Sequence, residues 1–149
     1  MKANELMIGD WMQFANGVQK VMVVGIKMDA RYREKDPIIT VENNRYHWIE
    51  KPLDELKPIP LTAEILEANG FSVGKYKLPV SGNEIDKYSY VDLTNHIKEC
   101  VLLPLTKNCT WSFGSVDGME VPVIEYVHEL QHALRLCGID KDIIIKKED

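Results

Sequence analysis

Residues 128–132 are the part of the sequence whose residue types and spacing could do chemistry. They read His-Glu-Leu-Gln-His, which matches the HExxH zinc signature of many metallopeptidases. Histidines four residues apart lie on one face of a helix, so His128 and His132 could bind one zinc ion. Glu129 would then act as the general base on a zinc-bound water. The motif gives one hypothesis, a zinc-dependent hydrolase.

The remaining zinc ligands are not evident in the sequence. Zinc needs a third protein ligand, and the metzincin extension is missing because Arg135 stands where a glycine would follow. A gluzincin-like ligand would have to be Glu148, in the charged segment that closes the sequence. His47 and His96 are upstream candidates, but no pattern around them indicates a metal site.

The helix that carries the motif is predicted over residues 123–137, with Pro122 at its start and Gly138 just after its end. At about 100° per residue, the apolar side chains share one face: Tyr126, Val127, Leu130, Ala133, Leu134 and Cys137. We expect His128 and His132 to meet water on the other face, with Glu125 and Arg135. On this interpretation, His128→Ala and His132→Ala each change the stability by less than about 0.5 kcal/mol.

Cysteines and tryptophans are the other candidate functional residues. Cys100, Cys109 and Cys137 have no CxxC spacing, which predicts reduced thiols in a cytoplasmic protein and not a disulfide framework. Cys109 or Cys137 could form a nucleophile pair with a histidine, but inert buried thiols are more common. Trp11 and Trp48 are predicted to contact a partner, although aromatic residues at strand spacing are more often core.

Residues 1–60 are predicted to form a β subdomain. Strands are expected at 11–14, with a turn at Asn16-Gly17, and along 18–28, where Gly25 indicates a bulge. Further strands are expected at 38–41, with a turn at Asn43-Asn44, and at 46–49, followed by a helical turn at 52–56 and a last strand near Ile59. Short strands joined by tight turns favour a small SH3-like barrel, and an open antiparallel meander is the alternative.

Residues 61–149 are predicted to complete an α+β fold with an antiparallel sheet and two helices. Thr62 is a candidate N-cap, Glu64 lies in the first turn, and Asn69-Gly70 ends this short helix. Strands are expected at 76–80, 88–93, 97–105 and 110–113, before the long helix at 123–137. Residues 143–145 could add an edge strand.

Net charge and hydropathy argue against several classes of protein. The 149-residue chain has a formal net charge of −5, whereas a nucleic-acid binder usually carries a basic patch. A nucleic-acid-binding barrel is therefore only a further alternative. The opening residues lack the apolar stretch of a signal peptide, and no window approaches the roughly 18 apolar residues of a membrane span. We expect a cytoplasmic protein without membrane contact.

Several short segments carry a resemblance to known sequences. They are Met1-Lys2-Ala3-Asn4-Glu5-Leu6 with Ile8-Gly9-Asp10-Trp11, Pro58-Ile59-Pro60-Leu61-Thr62, Asn69-Gly70-Phe71, and Ile124 to Gln131. In this order they resemble a group of uncharacterised proteins of Bacteroides-type bacteria, often found in prophages and other mobile elements. The resemblance implies no catalytic activity. It also implies that His132 is incidental, because the closing helix of that group usually reads Val-His-x-Leu-Gln followed by Asn.

The leading hypothesis is therefore a non-enzymatic accessory module of mobile-element origin. It would bind a protein partner through the barrel or through the exposed face of the long helix, and it would need no cofactor.

Overall fold

The computed structural model describes residues 5–27, 37–43, 48–93, 98–105, 110–115 and 120–145. Within these ranges the chain forms two five-stranded antiparallel sheets and two α-helices, which confirms the predicted α+β class. No helix of the described ranges is both long enough and apolar enough to cross a membrane. The chain divides into two compact units, the first running to Ile59 and including Ile145, the second running from Pro60 to Ile144.

The first unit is built on β1 to β5. Their bounds are Trp11–Phe14, Lys20–Lys27, Ile38–Glu42, Ile49–Pro52 and Leu56–Pro58, with a 3₁₀ turn at Leu53–Glu55 between the last two. The predicted turn at Asn16-Gly17 is present, since Gly17 has φ 75° and the Asn16 side chain accepts from the backbone N–H of Val18. The bulge at Gly25 is also confirmed. The register shifts there, and a Cβ would lie 3.3 Å from the Thr40 side chain.

Alternation of side chains builds one apolar core on one face of this sheet. Its buried members are Leu6, Met12, Val21, Val23, Ile39, Val41, Leu53 and Leu56, with Phe14, Ile26 and Ile49 packed around them.

The order of strands in the first sheet is β4-β3-β2-β1-β5. The last strand returns to pair with β1, so the sheet is not a simple meander. Among the described residues no pairing joins β4 to β5. The structure therefore gives a five-stranded antiparallel sheet, and a closed SH3-like barrel is not shown.

The second unit contains α1, β6 to β10 and α2. Their bounds are Ala63–Ala68, Ser72–Lys77, Glu84–Asp92, Lys98–Pro104, Trp111–Ser115, Glu120–Ile124 and Val127–Leu136. The strands form a meander in chain order. Tyr88, Leu102 and Phe113 lie opposite one another on β7, β8 and β9, and all three are buried. The core of this unit therefore lies on the sheet face that carries these residues.

The signals at both ends of α1 and at the end of α2 are confirmed. The Thr62 hydroxyl accepts from the backbone N–H of Ile65 at 3.4 Å, and Gly70 follows α1 with φ 82°. Gly138 follows α2 with φ 66°, and the N–H of Ile139 donates to the carbonyl of Leu134 at 2.9 Å. Ile139 is buried, as its position in a glycine-terminated helix end predicts.

The predicted start of the long helix at Val123 is wrong. Val123 and Ile124 end β10, a strand that the sequence analysis missed, and α2 begins at Val127. The extended backbone is held at this point by residues far away in sequence. The N–H of Leu61 donates to the carbonyl of Glu125 at 2.9 Å, and Pro60 pairs with Tyr126. These bonds outweigh the helix signal of Pro122.

Three predicted strands also differ from the structure. The strand expected at 76–80 lies at Ser72–Lys77, because Leu78 to Asn83 form the turn before β7. The strand expected at 46–49 begins at Ile49, after Trp48 with φ 58°. Tyr46, His47 and the turn residue Asn44 lie outside the described residues. No strand forms at 143–145.

At the last of these segments, the backbone of Ile144 bonds to a buried side-chain amide, that of Asn69. The Asn69 side chain is 4% exposed and donates to the carbonyl of Ile144 at 3.0 Å, while its oxygen accepts from the N–H of Ile144 at 2.7 Å. It also donates to the carbonyl of Ile65 at 2.8 Å. One side chain thus ties the segment after α2 to the end of α1.

We expect Asn69→Asp to destabilise the chain by about 2–3 kcal/mol, because the carboxylate loses both donor bonds and faces two carbonyl oxygens. Urea denaturation of the variant measures the loss. Asn83→Asp is the matched control, since Asn83 is exposed and bonds to Leu78 through its backbone. Equal stability of the two variants would contradict the role of the buried amide.

Candidate functional site

The first unit carries a groove whose lining residues all lie within the described ranges. Its volume is about 470 Å³, and its lining residues are Phe14, Ala15, Asn16, Gln19, Ile49, Lys51 and Glu55. Phe14 ends β1, whereas Ile49 and Lys51 lie on β4 opposite the core residues Val41 and Ile39. Both β4 side chains therefore lie on the core face of the sheet, and the groove borders the apolar core of the unit.

The polar groups around the groove are arranged in defined contacts. The Lys51 Nζ lies 2.7 Å from the Glu55 carboxylate and 5.9 Å from the centre of the Phe14 ring. The N–H of Ala15 donates to the carbonyl of Glu55 at 2.9 Å. An ion pair exposed to this degree adds less than about 1 kcal/mol to stability. The main consequence of the ion pair is that it holds one cation and one anion next to the apolar side chains of Phe14 and Ile49.

Trp48 stands immediately before the groove residue Ile49 and is 72% exposed. Its φ of 58° lies in the left-handed region, which bulky residues rarely adopt. The indole N–H donates to the Glu42 carboxylate at 3.3 Å. The structure therefore holds an exposed indole in one place.

Trp11, the second predicted partner contact, is 8% exposed and belongs to the buried residues of the first unit. It begins β1, whereas the groove residue Phe14 ends that strand. Trp111 is buried as well, and its indole N–H donates to the carbonyl of Leu61 at 3.0 Å. Of the three tryptophans, Trp48 is therefore the one that presents its ring to solvent.

The expectation that both histidines of the HExxH motif meet water is wrong for His128. His128 is 4% exposed, its ring is stacked on Tyr126 at 5.9 Å, and the ring of His132 packs edge-on against it at 5.7 Å. His132 is half-buried. The buried side of α2 is wider than the apolar pattern predicts, because it includes Gln131 as well as His128.

Glu129, the candidate general base, has a structural role in α2. Its carboxylate accepts from the backbone N–H groups of Glu125 at 2.7 Å and Tyr126 at 3.1 Å. A carboxylate in the first turn satisfies N–H groups that the helix leaves unpaired and interacts favourably with the helix dipole. The sequence analysis missed this role because it placed the helix start four residues too early.

The described residues contain no cluster of three or more histidine, cysteine, aspartate or glutamate side chains that could hold a metal ion. His47, His96 and Glu148, the candidate third zinc ligands, lie outside the described ranges.

The thiols differ sharply in environment. Neither Cys100 nor Cys137 forms a disulfide in the described structure, and the first is fully buried whereas the second is half-buried. Cys109 lies outside the described residues. Burial raises the pKa of the Cys100 thiol to about 12. A thiol must ionise before it reacts as a nucleophile, so the environment of Cys100 suits a core side chain.

The geometry is the basis for a functional proposal, because the comparisons with known proteins give no match. No protein-family model, no curated protein and no solved structure matches the chain. The groove combines the apolar side chains of Phe14 and Ile49 with the ion pair of Lys51 and Glu55, and the exposed Trp48 immediately precedes Ile49 in the chain. In the HExxH motif, by contrast, the ring of His128 is buried and the carboxylate of Glu129 caps the helix that carries it. The groove is therefore the candidate functional site.

We expect His128→Ala to destabilise the chain by about 2 kcal/mol, because it leaves a gap beside the rings of Tyr126 and His132 inside the second unit. His132→Ala, at a half-buried position, should cost less than about 1 kcal/mol. Urea denaturation of both variants measures the difference, with the exposed Arg135→Ala as the control on the same helix. Small and equal effects of the two histidine changes would contradict the burial of His128.

We also expect iodoacetamide to alkylate Cys137 in the folded chain long before Cys100. With a pKa of about 12, only about one Cys100 thiol in ten thousand is ionised at pH 8, and its burial blocks access. A Cys109→Ser background limits the experiment to these two thiols, and mass spectrometry of peptides assigns the label. Alkylation of Cys100 at the rate of Cys137 without denaturant would show that the interior is not packed as described.

Proposed function

We propose that the chain is a non-enzymatic accessory module of mobile-element origin, acting in the cytoplasm, that binds a segment of a partner protein in the groove of its first unit. The observation that carries the proposal is the 470 Å³ groove, together with the exposed ring of Trp48, the residue that precedes the groove residue Ile49. Protein-binding surfaces commonly combine an exposed aromatic anchor with an apolar pocket and a polar rim. Phe14 and Ile49 supply the apolar part of the groove, Lys51 with Glu55 supplies its charged rim, and Trp48 supplies an exposed aromatic ring just before β4.

We further propose that the first sheet curls as an SH3-like barrel does. Two strands separate β1 from β4 in the sheet order, so a flat sheet would hold them about 14 Å apart at the usual strand spacing. The three-residue turn at Leu53–Glu55 nevertheless joins the end of β4 to β5, which pairs with β1, and the Lys51 Nζ lies 5.9 Å from the Phe14 ring. The bond from Ala15 to Glu55 adds a second link between the end of β1 and the turn that follows β4. Both contacts support a strongly curved sheet whose gap contains the groove.

The charged groups support binding over catalysis. Acid–base chemistry needs a group that can approach a substrate proton. Lys51 and Glu55 are held against each other at 2.7 Å, and Glu129 is held by two backbone N–H groups. Cys100 and Cys137 are not joined in a disulfide, which supports the proposed cytoplasmic location because disulfides are typical of exported proteins.

Selection of short random peptides by phage display on the immobilised chain tests the proposed function. We expect the selected peptides to lose at least about tenfold in affinity, about 1.4 kcal/mol, when Ala15→Trp fills the groove. Ala15 is exposed and lies in a turn, so this change should leave the core intact, as a thermal melt can verify. Isothermal titration with each peptide gives the affinities.

Ile8→Trp is the matched control for this experiment. Ile8 is 66% exposed and precedes β1, whereas Ala15 follows it, so the control adds the same ring away from the groove. Peptides that bind both variants equally well, or lose affinity equally for both, would overturn the proposed function.

A further inference from the structure

The strand beside the groove has an edge that pairs with nothing else in the described part of the chain. β4 ends the sheet order and pairs with β3 alone. An edge strand presents backbone N–H and C=O groups outward, and an extended peptide can use them to add a further strand. The groove lies along this same strand, because Ile49 and Lys51 line it. A peptide that pairs with β4 would therefore lie against the groove.

The two faces of β4 have different chemistry. Ile49 and Lys51 face the core side, where they meet Val41 and Ile39 across the strand pair. Glu50 lies opposite Thr40 and faces the other side of the sheet. Glu42 is two residues from Thr40 on β3, so its side chain points to that same side. Side chains of an added strand would alternate in the same way. One set would meet the groove, and the other set would meet the side that carries the two glutamates.

The outer side favours a cation. The Trp48 indole is 72% exposed and is bonded to the Glu42 carboxylate, and the exposed Glu50 lies two residues farther along the chain. A lysine or arginine side chain gains both from the face of an indole and from nearby carboxylates. On the inner side, the one lysine of the groove is already paired with Glu55 at 2.7 Å, so the apolar surface of Phe14 and Ile49 favours apolar side chains.

We infer that the partner segment is an extended strand that pairs with the edge of β4 and alternates apolar with basic side chains. Its apolar side chains contact Phe14 and Ile49 in the groove. Its lysines or arginines contact Trp48, Glu42 and Glu50 on the outer side. This inference rests on the proposed function, since it names the chemistry of the segment that the groove binds.

Three synthetic peptides of equal length test this pattern on the full chain. The first alternates lysine with isoleucine, the second alternates glutamate with isoleucine, and the third has the composition of the first with its lysines and isoleucines in separate blocks. We expect the first peptide to bind at least about tenfold more tightly than the second and more tightly than the third. Its affinity should fall as salt rises, because carboxylate–cation contacts are screened.

Charge reversal on the outer side supplies the second part of the test. Glu50→Lys should weaken the alternating basic peptide at least about tenfold and strengthen the alternating acidic one. Glu67→Lys is the matched control, because it makes the same change of charge at an exposed site on α1 in the other unit. In NMR titrations, the backbone amides of β4 should shift with the basic peptide.

Several outcomes would overturn the inference. They are failure of the alternating basic peptide to bind, equal binding of the acidic or blocked peptide, unmoved β4 amides, and a Glu67→Lys effect as large as that of Glu50→Lys. Self-association of the chain through β4, seen as a dimer that the peptide does not dissociate, would also overturn it. If peptides selected by display still depend on Ala15, the proposed function stands and only the strand pattern is wrong. If none depends on Ala15, the proposed function itself is wrong.

Discussion

The antiparallel pairing of β5 with β1 is the constraint on which the groove depends. The three-residue 3₁₀ turn at Leu53–Glu55 is all that separates β4 from β5, and β5 then lies beside β1, with Gln13 opposite Lys57. Because β4 sits at the far end of the sheet order, this short turn must draw the two ends of the sheet towards each other. The Gln13 amide strengthens the pairing by donating to the carbonyl of Pro58 at 3.0 Å. Loss of this pairing would therefore separate Phe14 and Ala15 from Lys51 and remove the groove.

The second unit depends on how the chain enters α2. Residues 125 and 126 are extended because Pro60 and Leu61 bond to them, so the helix can begin only at Val127. That start places Glu129 in the first turn, where its carboxylate bonds back to the N–H groups of Glu125 and Tyr126. It also leaves Tyr126 stacked on the ring of His128. His128 and Glu129, two of the three fixed residues of the HExxH motif, thus have structural roles in α2.

The features that the sequence predicted correctly are those set by neighbouring residues. Asn16-Gly17, Thr62, Asn69-Gly70 and Gly138 each mark a turn or a helix end through a short-range bond or a positive φ. The features that it predicted wrongly depend on distant residues. Helix α2 starts late because of Leu61, and residues 143–145 form no strand because Asn69 bonds to Ile144.

The candidate site was predictable only in part, for the same reason. Trp48 was predicted to contact a partner from its residue type, but Phe14 meets Lys51 and Glu55 only after β5 has paired with β1. No local pattern predicts such a meeting. Trp11 has the same residue type as Trp48 and begins β1, yet it is buried. The spacing of residues in the sequence does not reveal which of these two tryptophans is buried.

Trp48 combines two features that each reduce the stability of the chain. A left-handed φ costs a non-glycine residue about 1–2 kcal/mol, and glycine or asparagine would adopt φ 58° more easily. An indole that is 72% exposed also recovers little of the free energy that its burial could supply. The hydrogen bond to Glu42 lies at the surface and offsets only part of this cost. A strained and exposed aromatic residue immediately before β4 adds little to the stability of the fold, which supports the proposed contact with a partner.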